Sequence, residues 1–354
     1  MKKIVIFGVT GSIGTSALDI IRNNKDFQLV GISYLSNHKK ANQIIKEFNV
    51  RHVIVGNDYK SIDKLLKTTK PDLVLNAVST SDGLVFSYLT ITNKIDLVLA
   101  NKETLVCWGK KIKELAIKNK ANIYPVDSEH SALYSLIKNK DQTKKIKELI
   151  ITASGGMFYN YSYKQLNDVK YTDAINNPNW KMGEKISVDS STLLNKAFEI
   201  IEGYWLFGTG KIRALVQPQS RIHAMIVYED DSIDAYIAKC DMGIAIKNAL
   251  YQYNVNDAKY IKHFTDMSEI KYELFPIKNE YLKGYDYAQL MLNNIKTSLP
   301  ALINFGNEKA IKLFKDKKLK FLEIYDFIDE FIVKYKRKKF KTINDFIEFK
   351  KTIS

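Results

Sequence analysis

Cysteine is nearly absent from this chain. Cys107 and Cys240 are its two cysteines, far apart and in no metal-ligand spacing. Neither a disulfide framework nor a zinc site is indicated, and a reducing cytoplasm fits. No apolar run approaches the ~18 residues of a membrane span. Met1-Lys2-Lys3 ahead of Ile4 to Phe7 has the outline of a signal peptide, but Gly8 to Gly14 interrupts the apolar stretch and no small-residue cleavage site follows. The segment therefore reads as a first strand. Fixed-period repeats and long low-complexity linkers are also missing.

The chain has 354 residues, enough for two or three domains, with 45% hydrophobic and 26% charged residues, as in soluble globular proteins. Its formal charge of +15 is carried by lysines spread along the whole sequence. That spread argues against a nucleic-acid patch or a membrane-binding face, while the basicity still favours phosphorylated small molecules.

Short β-branched or aliphatic runs at 3–7, 28–34, 52–55, 72–78, 96–100 and 121–125 alternate with helical patterns. That order predicts a parallel, doubly wound sheet. After about residue 147 the pattern changes to a strand ELIITA, a glycine turn, an aperiodic Tyr/Asn-rich stretch, a helix over about 190–206 and strands near 213–217, 222–228 and 232–238. From about 285 onward helical patterns predominate, which predicts a small C-terminal helical bundle.

Several clusters can carry chemistry. Gly8, Gly11 and Gly14 in GVTGSIG lie between a strand and a helix, where bare backbone and a helix N-terminus suit a pyrophosphate; a merely tight turn is the alternative. No acid follows the second strand in Ser33 to Lys40. Hydroxyl, amide and cationic groups there favour NADPH over NADH, against the alternative of an ordinary basic loop. In Val126-Asp127-Ser128-Glu129-His130, strand alternation would turn Asp127 and Glu129 to one side, half of a site for Mg²⁺ or Mn²⁺. An acidic, solvated strand end is the plain alternative. Lys102, in Asn101-Lys102-Glu103, follows a strand at the sheet edge where such folds place ligands, and is also an ordinary helix-start charge.

Ser154-Gly155-Gly156 offers a phosphate nest. Farther on, Asn195, Lys196 and Glu199 share one face of an otherwise apolar helix. Such a stripe is costly unless paired or bound. Trp180 lies in an Asn-rich loop that serves equally as a hinge over a ligand or as a core anchor. His223, on a strand, fits either a hydrogen-bonded core histidine or a catalytic one.

Taken together, GVTGSIG at 8–14, LANKET at 99–104, PVDSEH at 125–130, ASGG at 153–156, NPNWKMGEKISVDSSTLLNKAFE at 177–199 and QPQSRIHAM at 217–225 resemble the 1-deoxy-D-xylulose 5-phosphate reductoisomerase family. The resemblance is ordered along most of the chain. It implies an α/β protein with a Rossmann-like NADPH domain over 1–126 and a central α+β catalytic domain over 127–251, whose flap runs from about 154 to 184. A linker over 252–278 and a C-terminal helical domain over 279–354 would follow. It also implies an NADP-dependent oxidoreductase that rearranges and reduces 1-deoxy-D-xylulose 5-phosphate to 2-C-methyl-D-erythritol 4-phosphate. The cation would be Mg²⁺ or Mn²⁺, and the enzyme a cytoplasmic homodimer with no nucleic-acid or membrane partner.

By the same resemblance Asp127, Glu129 and Glu199 would be metal ligands, with Lys102 and His130 as further catalytic groups. Substrate would meet Ser128, Ser154, Asn177, Trp180, Ser190, Asn195, Lys196 and His223. NADPH would meet Thr10, Gly11, Ser12, Ile13, Ser36, Asn37, Asn101, Glu103, Gly183 and Met242. The chain departs from the pattern at Asn177, where a histidine is usual, at Glu184, where a base is common, and in Ser79 to Gly83, which replaces a small turn. At Ser36 the usual lysine is missing, leaving Lys39 or His38 as substitutes. Two other readings remain: an NADP-dependent reductase without isomerisation, which would need no metal, and a nucleic-acid binder with a decayed site, which would bind with steep salt dependence.

Overall fold

The structure is a computed structural model, described for residues 1–176, 182–254, 272–277 and 280–353. The expected sites Asn177 and Trp180 lie outside the described residues. The chain folds as two compact units, the first comprising Met1–Thr104, Gly109–Ser131 and the described part of 241–261, the second 105–108, 132–240 and the described part of 262–354.

In the first unit the βα alternation produces β1 (Lys2–Phe7), α1 (Ser12–Arg22), β2 (Phe27–Tyr34), α2 (His38–Phe48), β3 (His52–Val55), α3 (Tyr59–Thr69), β4 (Leu73–Asn76), α4 (Gly83–Thr92), β5 (Asp96–Leu99), α5 (Glu103–Asn119) and β6 (Ile123–Pro125). The strands pair in parallel in the order β3-β2-β1-β4-β5-β6. This is the dinucleotide-binding order, with its crevice at the carboxyl ends of β1 and β4 where the winding reverses. Helices cover both faces, so the central strands are apolar throughout: Ile4 to Phe7 and Leu73 to Leu75 are fully buried.

The sheet closes tightly at that reversal. Gly8 follows β1 with φ +77°, and a Cβ there would lie 2.5 Å from the Ala77 carbonyl oxygen beyond β4. Only glycine fits.

The run expected as a strand over 121–125 is a strand over Ile123–Pro125 alone, and α6 (Ser128–Asn139) begins almost at once. The Ser131 N–H donates to the Asp127 carbonyl at 2.7 Å, so Asp127 closes the first turn. The expected strand alternation of Asp127 and Glu129 is therefore corrected: Asp127 sits at the strand-to-helix junction and Glu129 in the first turn of α6.

The second unit is built on a sheet whose order is β10-β9-β7-β8-β11. These strands are β7 (Ile146–Ala153), β8 (Ile212–Val216), β9 (Ile222–Tyr228), β10 (Ile233–Ile237) and β11 (Phe275–Pro276). Strand β7 runs parallel to β8 and antiparallel to β9. Between β7 and β8 lie α7 (Tyr163–Asn167), α8 (Tyr171–Ala174), α9 (Glu184–Ser191) and α10 (Leu194–Phe207). The helix expected over 190–206 is thus two helices. Leu193 adopts a left-handed conformation (φ 61°) that breaks them, and the Tyr325 hydroxyl holds the break by donating to the Thr192 carbonyl at 3.0 Å.

Helix α11 (Met242–Leu250) returns to the first unit, and the Tyr253 hydroxyl beyond it donates to the Pro125 carbonyl. The C-terminal patterns form α12 (Tyr287–Asn293), α13 (Leu299–Lys315), α14 (Glu323–Lys334) and α15 (Ile343–Ile353). They share a core with the sheet: Phe314, Phe321, Ile324 and Ile328 belong to the same buried cluster as Leu149, Ile151, Phe198 and Ile201. Helices this short gain stability mainly by burying their apolar faces. No helix among the described residues is long and apolar enough to cross a membrane.

Candidate functional site

In the first unit the candidate residues gather at the carboxyl edge of the sheet. Gly11 caps α1 with extended backbone and no side-chain hydrogen bond, so the helix N-terminus is dressed by backbone alone and presents its dipole to the turn. Thr10 and Ile13 are half-buried, and Gly11 and Ser12 are exposed. A glycine turn pressed against the reversal point, whose N-cap residue adds no side chain, fits a pyrophosphate. Ser36 and Asn37 are exposed after β2, and the Asn37 carboxamide oxygen caps α2 by accepting from the Lys40 N–H at 3.1 Å.

Asn101 is nearly fully buried. Its amide donates to the carbonyls of Val78 (2.9 Å) and Thr80 (2.7 Å) and to Glu103, while its oxygen accepts from Thr104. The side chain thus ties the Ser79 to Gly83 turn to the start of α5. Lys102, 4% exposed, places its ammonium 2.6 Å from Asp127 Oδ2, and the buried His130 ring nitrogen Nδ1 lies 3.9 Å from the same oxygen. Ser128 donates to Glu129 Oε2 at 2.6 Å. Asp127 and Glu129 offer hard carboxylate oxygens of the kind a divalent cation prefers. Met242 opens α11, capped by Asp241, and is half-buried.

In the second unit the glycine turn after β7 meets α9. Gly156, at φ +74°, brings its backbone so close that a Cβ would lie 2.7 Å from the Ser190 carbonyl oxygen. This close approach draws Ser154 and Ser190 to one neighbourhood, both half-buried. On α10 the predicted stripe holds. The buried Lys196 ammonium donates to the Thr152 carbonyl at the end of β7 and pairs with Glu199, and the Asn195 amide donates to the same carboxylate. The lysine is thereby fixed near the Ser154 turn, the position an anionic group would need. His223 is buried, with Nε2 3.3 Å from the Lys239 carbonyl. Gly183 begins α9 and is exposed.

Two features escaped the sequence reading. Asp189, next to Ser190, is 1% exposed and receives Lys185 Nζ at 2.8 Å and the Asn307 amide at 2.7 Å. The Lys185/Asp189 spacing of four was the available signal. Glu202, three residues beyond Glu199 on α10, is also buried.

Profiles of one family match nearly end to end. "1-deoxy-D-xylulose 5-phosphate reductoisomerase" matches residues 4–69 and 55–109, "1-deoxy-D-xylulose 5-phosphate reductoisomerase C-terminal domain" matches 123–207, and "DXP reductoisomerase C-terminal domain" matches 237–353. The 1-deoxy-D-xylulose 5-phosphate reductoisomerase of Malacoplasma penetrans is 39% identical over 360 residues, covering 99% of this chain and 93% of that protein. That of Clostridium botulinum (strain Alaska E43) is 36% identical over 383 residues, covering 100% and 98%. Among solved structures, the enzyme from Zymomonas mobilis in complex with NADPH superposes with a TM-score of 0.85 at 26% identity, covering 99% of this chain and 97% of that one. A second, in complex with NADPH, fosmidomycin and magnesium, also gives 0.85 at 26% identity, covering 94% and 89%.

Proposed function

The chain belongs to the 1-deoxy-D-xylulose 5-phosphate reductoisomerase family, and from that premise we propose how its residues divide the work. It is an NADP-dependent oxidoreductase that converts 1-deoxy-D-xylulose 5-phosphate to 2-C-methyl-D-erythritol 4-phosphate in isoprenoid precursor synthesis, with NADPH and a divalent cation. The cation supplies Lewis-acid polarisation of the substrate oxygens and NADPH supplies the hydride.

Asp127, Glu129 and Glu199 are the metal ligands in this reading, and all three are hard oxygen donors. Lys102, held against Asp127, keeps positive charge beside developing oxyanion character, and His130 orients the same carboxylate. Ser154, Ser190, Asn195 and Lys196 hold the substrate phosphate. Ser128, Asn177, Trp180 and His223 complete the substrate contacts. NADPH lies on Thr10, Gly11, Ser12 and Ile13, with Ser36, Asn37, Asn101, Glu103, Gly183 and Met242 along it. Binding energy from the remote phosphate is spent on closure. The three-domain division with boundaries near 126, 251 and 278, a cytoplasmic location and a homodimer belong to the same proposal.

One observation carries it: the stripe of half-buried Asn195 and buried Lys196 and Glu199 on an apolar helix, fixed at the end of β7 beside a glycine turn. Purified protein should oxidise NADPH in the presence of deoxyxylulose phosphate with Mg²⁺ or Mn²⁺, yield methylerythritol phosphate, and stop when a chelator is added. Metal-independent oxidation would instead support a reductase without isomerisation.

A further inference from the structure

We infer that Lys40 is the residue that selects NADPH over NADH, by pairing with the phosphate on the cofactor ribose. The inference rests on the NADPH reading above. Ser36, exposed in the loop after β2, has only a hydroxyl to offer, and no carboxylate follows β2 between Leu35 and Ala41 to repel a phosphate or to hold ribose hydroxyls. The cation must come from the first turn of α2, and its three basic residues are placed differently. His38 is engaged with Tyr34, its Nδ1 3.2 Å from the hydroxyl and its ring edge-on to the phenol. Lys39 is exposed and its ammonium has no partner among the described residues, so nothing orients it.

Lys40 is half-buried and turned back onto the glycine turn. Its ammonium donates to the Thr10 carbonyl at 3.1 Å and to Thr15 Oγ1 at 2.6 Å, and the Thr15 hydroxyl in turn donates to the Gly11 carbonyl at 2.7 Å. These bonds fix the cation between the dinucleotide turn and the start of α2. An ammonium has three N–H donors; two are used, and the third has no acceptor among the described residues. A cation already desolvated on one side and held in place loses little freedom on meeting a dianion, so the charge-assisted bond retains most of its strength.

The test is a fluorescence titration of NADPH and of NADH on the unmodified protein and on Lys40→Gln, Lys40→Arg and Lys39→Gln, read as dissociation constants. Lys40→Gln should weaken NADPH by about 10- to 100-fold and leave NADH within about twofold, Lys40→Arg should keep most of the preference, and Lys39→Gln should change neither. Equal weakening of both cofactors by Lys40→Gln would mean that the lysine only braces the turn, and no weakening would mean that the phosphate lies elsewhere. Either result overturns the inference. An unmodified protein that binds NADH as tightly as NADPH would overturn the NADPH reading itself, which is a separate failure.

Discussion

The Asn307 side-chain amide donates to Asp189 Oδ1 at 2.7 Å, joining residues 118 positions apart. Asp189 precedes Ser190 at the end of α9, and Lys185 one turn earlier reaches its other oxygen. A carboxylate this deeply buried is tolerable only when it is paired and hydrogen-bonded. Helix α13 thus braces the end of α9 that carries Ser190. Asn307→Ala should destabilise the protein by about 1–3 kcal/mol and raise KM for deoxyxylulose phosphate. NADPH affinity should stay unchanged, as read by chemical denaturation, steady-state kinetics and cofactor titration.

Glu199→Gln keeps the shape of the side chain but removes its charge. Turnover should fall by about 100-fold or more while NADPH binding is preserved, and Mn²⁺ binding measured by calorimetry should weaken, because a neutral amide is a poorer ligand than a carboxylate for a hard cation. Full activity in this variant would remove Glu199 from the metal set.

Gly156→Ala tests the turn. Its left-handed backbone and the 2.7 Å approach to the Ser190 carbonyl leave no place for a methyl group, so we expect a loss of about 1–3 kcal/mol. Substrate affinity should fall further than melting alone explains, since Ser154 and Ser190 are displaced together. A variant with unchanged KM for substrate would separate this turn from phosphate binding.

Glu184, where the family commonly has a base, accepts from Lys315 and, at 2.8 Å, from the Tyr171 hydroxyl, linking α9 to α13 and α8. The Lys315 hydrogen bond, with that of Tyr171 behind it, holds the Glu184 carboxyl below its ordinary value. A depressed folded-state value means that the stabilisation is fully present above the ordinary glutamate range and is lost as pH falls through the lower, folded value. The melting-temperature gap between the natural protein and Glu184→Gln should therefore be constant from about pH 7 down to about pH 5 and close below about pH 4. The contribution is small because the pair is exposed. A gap that widened on acidification would contradict it.

The sequence by itself determined the parts that depend on local spacing. The βα alternation of the first 125 residues led directly to the parallel sheet, since burial on both faces forces continuous apolar strands. GVTGSIG led to the dinucleotide turn because Gly8 admits no side chain. The polar stripe on α10 was legible from helical periodicity alone, and burial of Lys196 and Glu199 follows from the apolar residues around it. Tertiary structure decided what local spacing does not encode. The apolar run before them puts Asp127 and Glu129 on a strand by local pattern, whereas the Ser131 to Asp127 bond places them at the start of α6. The break at Leu193 is held by Tyr325, more than a hundred residues away in sequence. Local spacing after β2 pointed to Lys39 or His38; the return of Lys40 to Thr10 and Thr15, on which the inference for Lys40 rests, is visible only in the folded chain. Periodicity reports which face of an element is buried, whereas a hydrogen bond between distant residues depends on how the chain returns, and that is fixed only when the core packs.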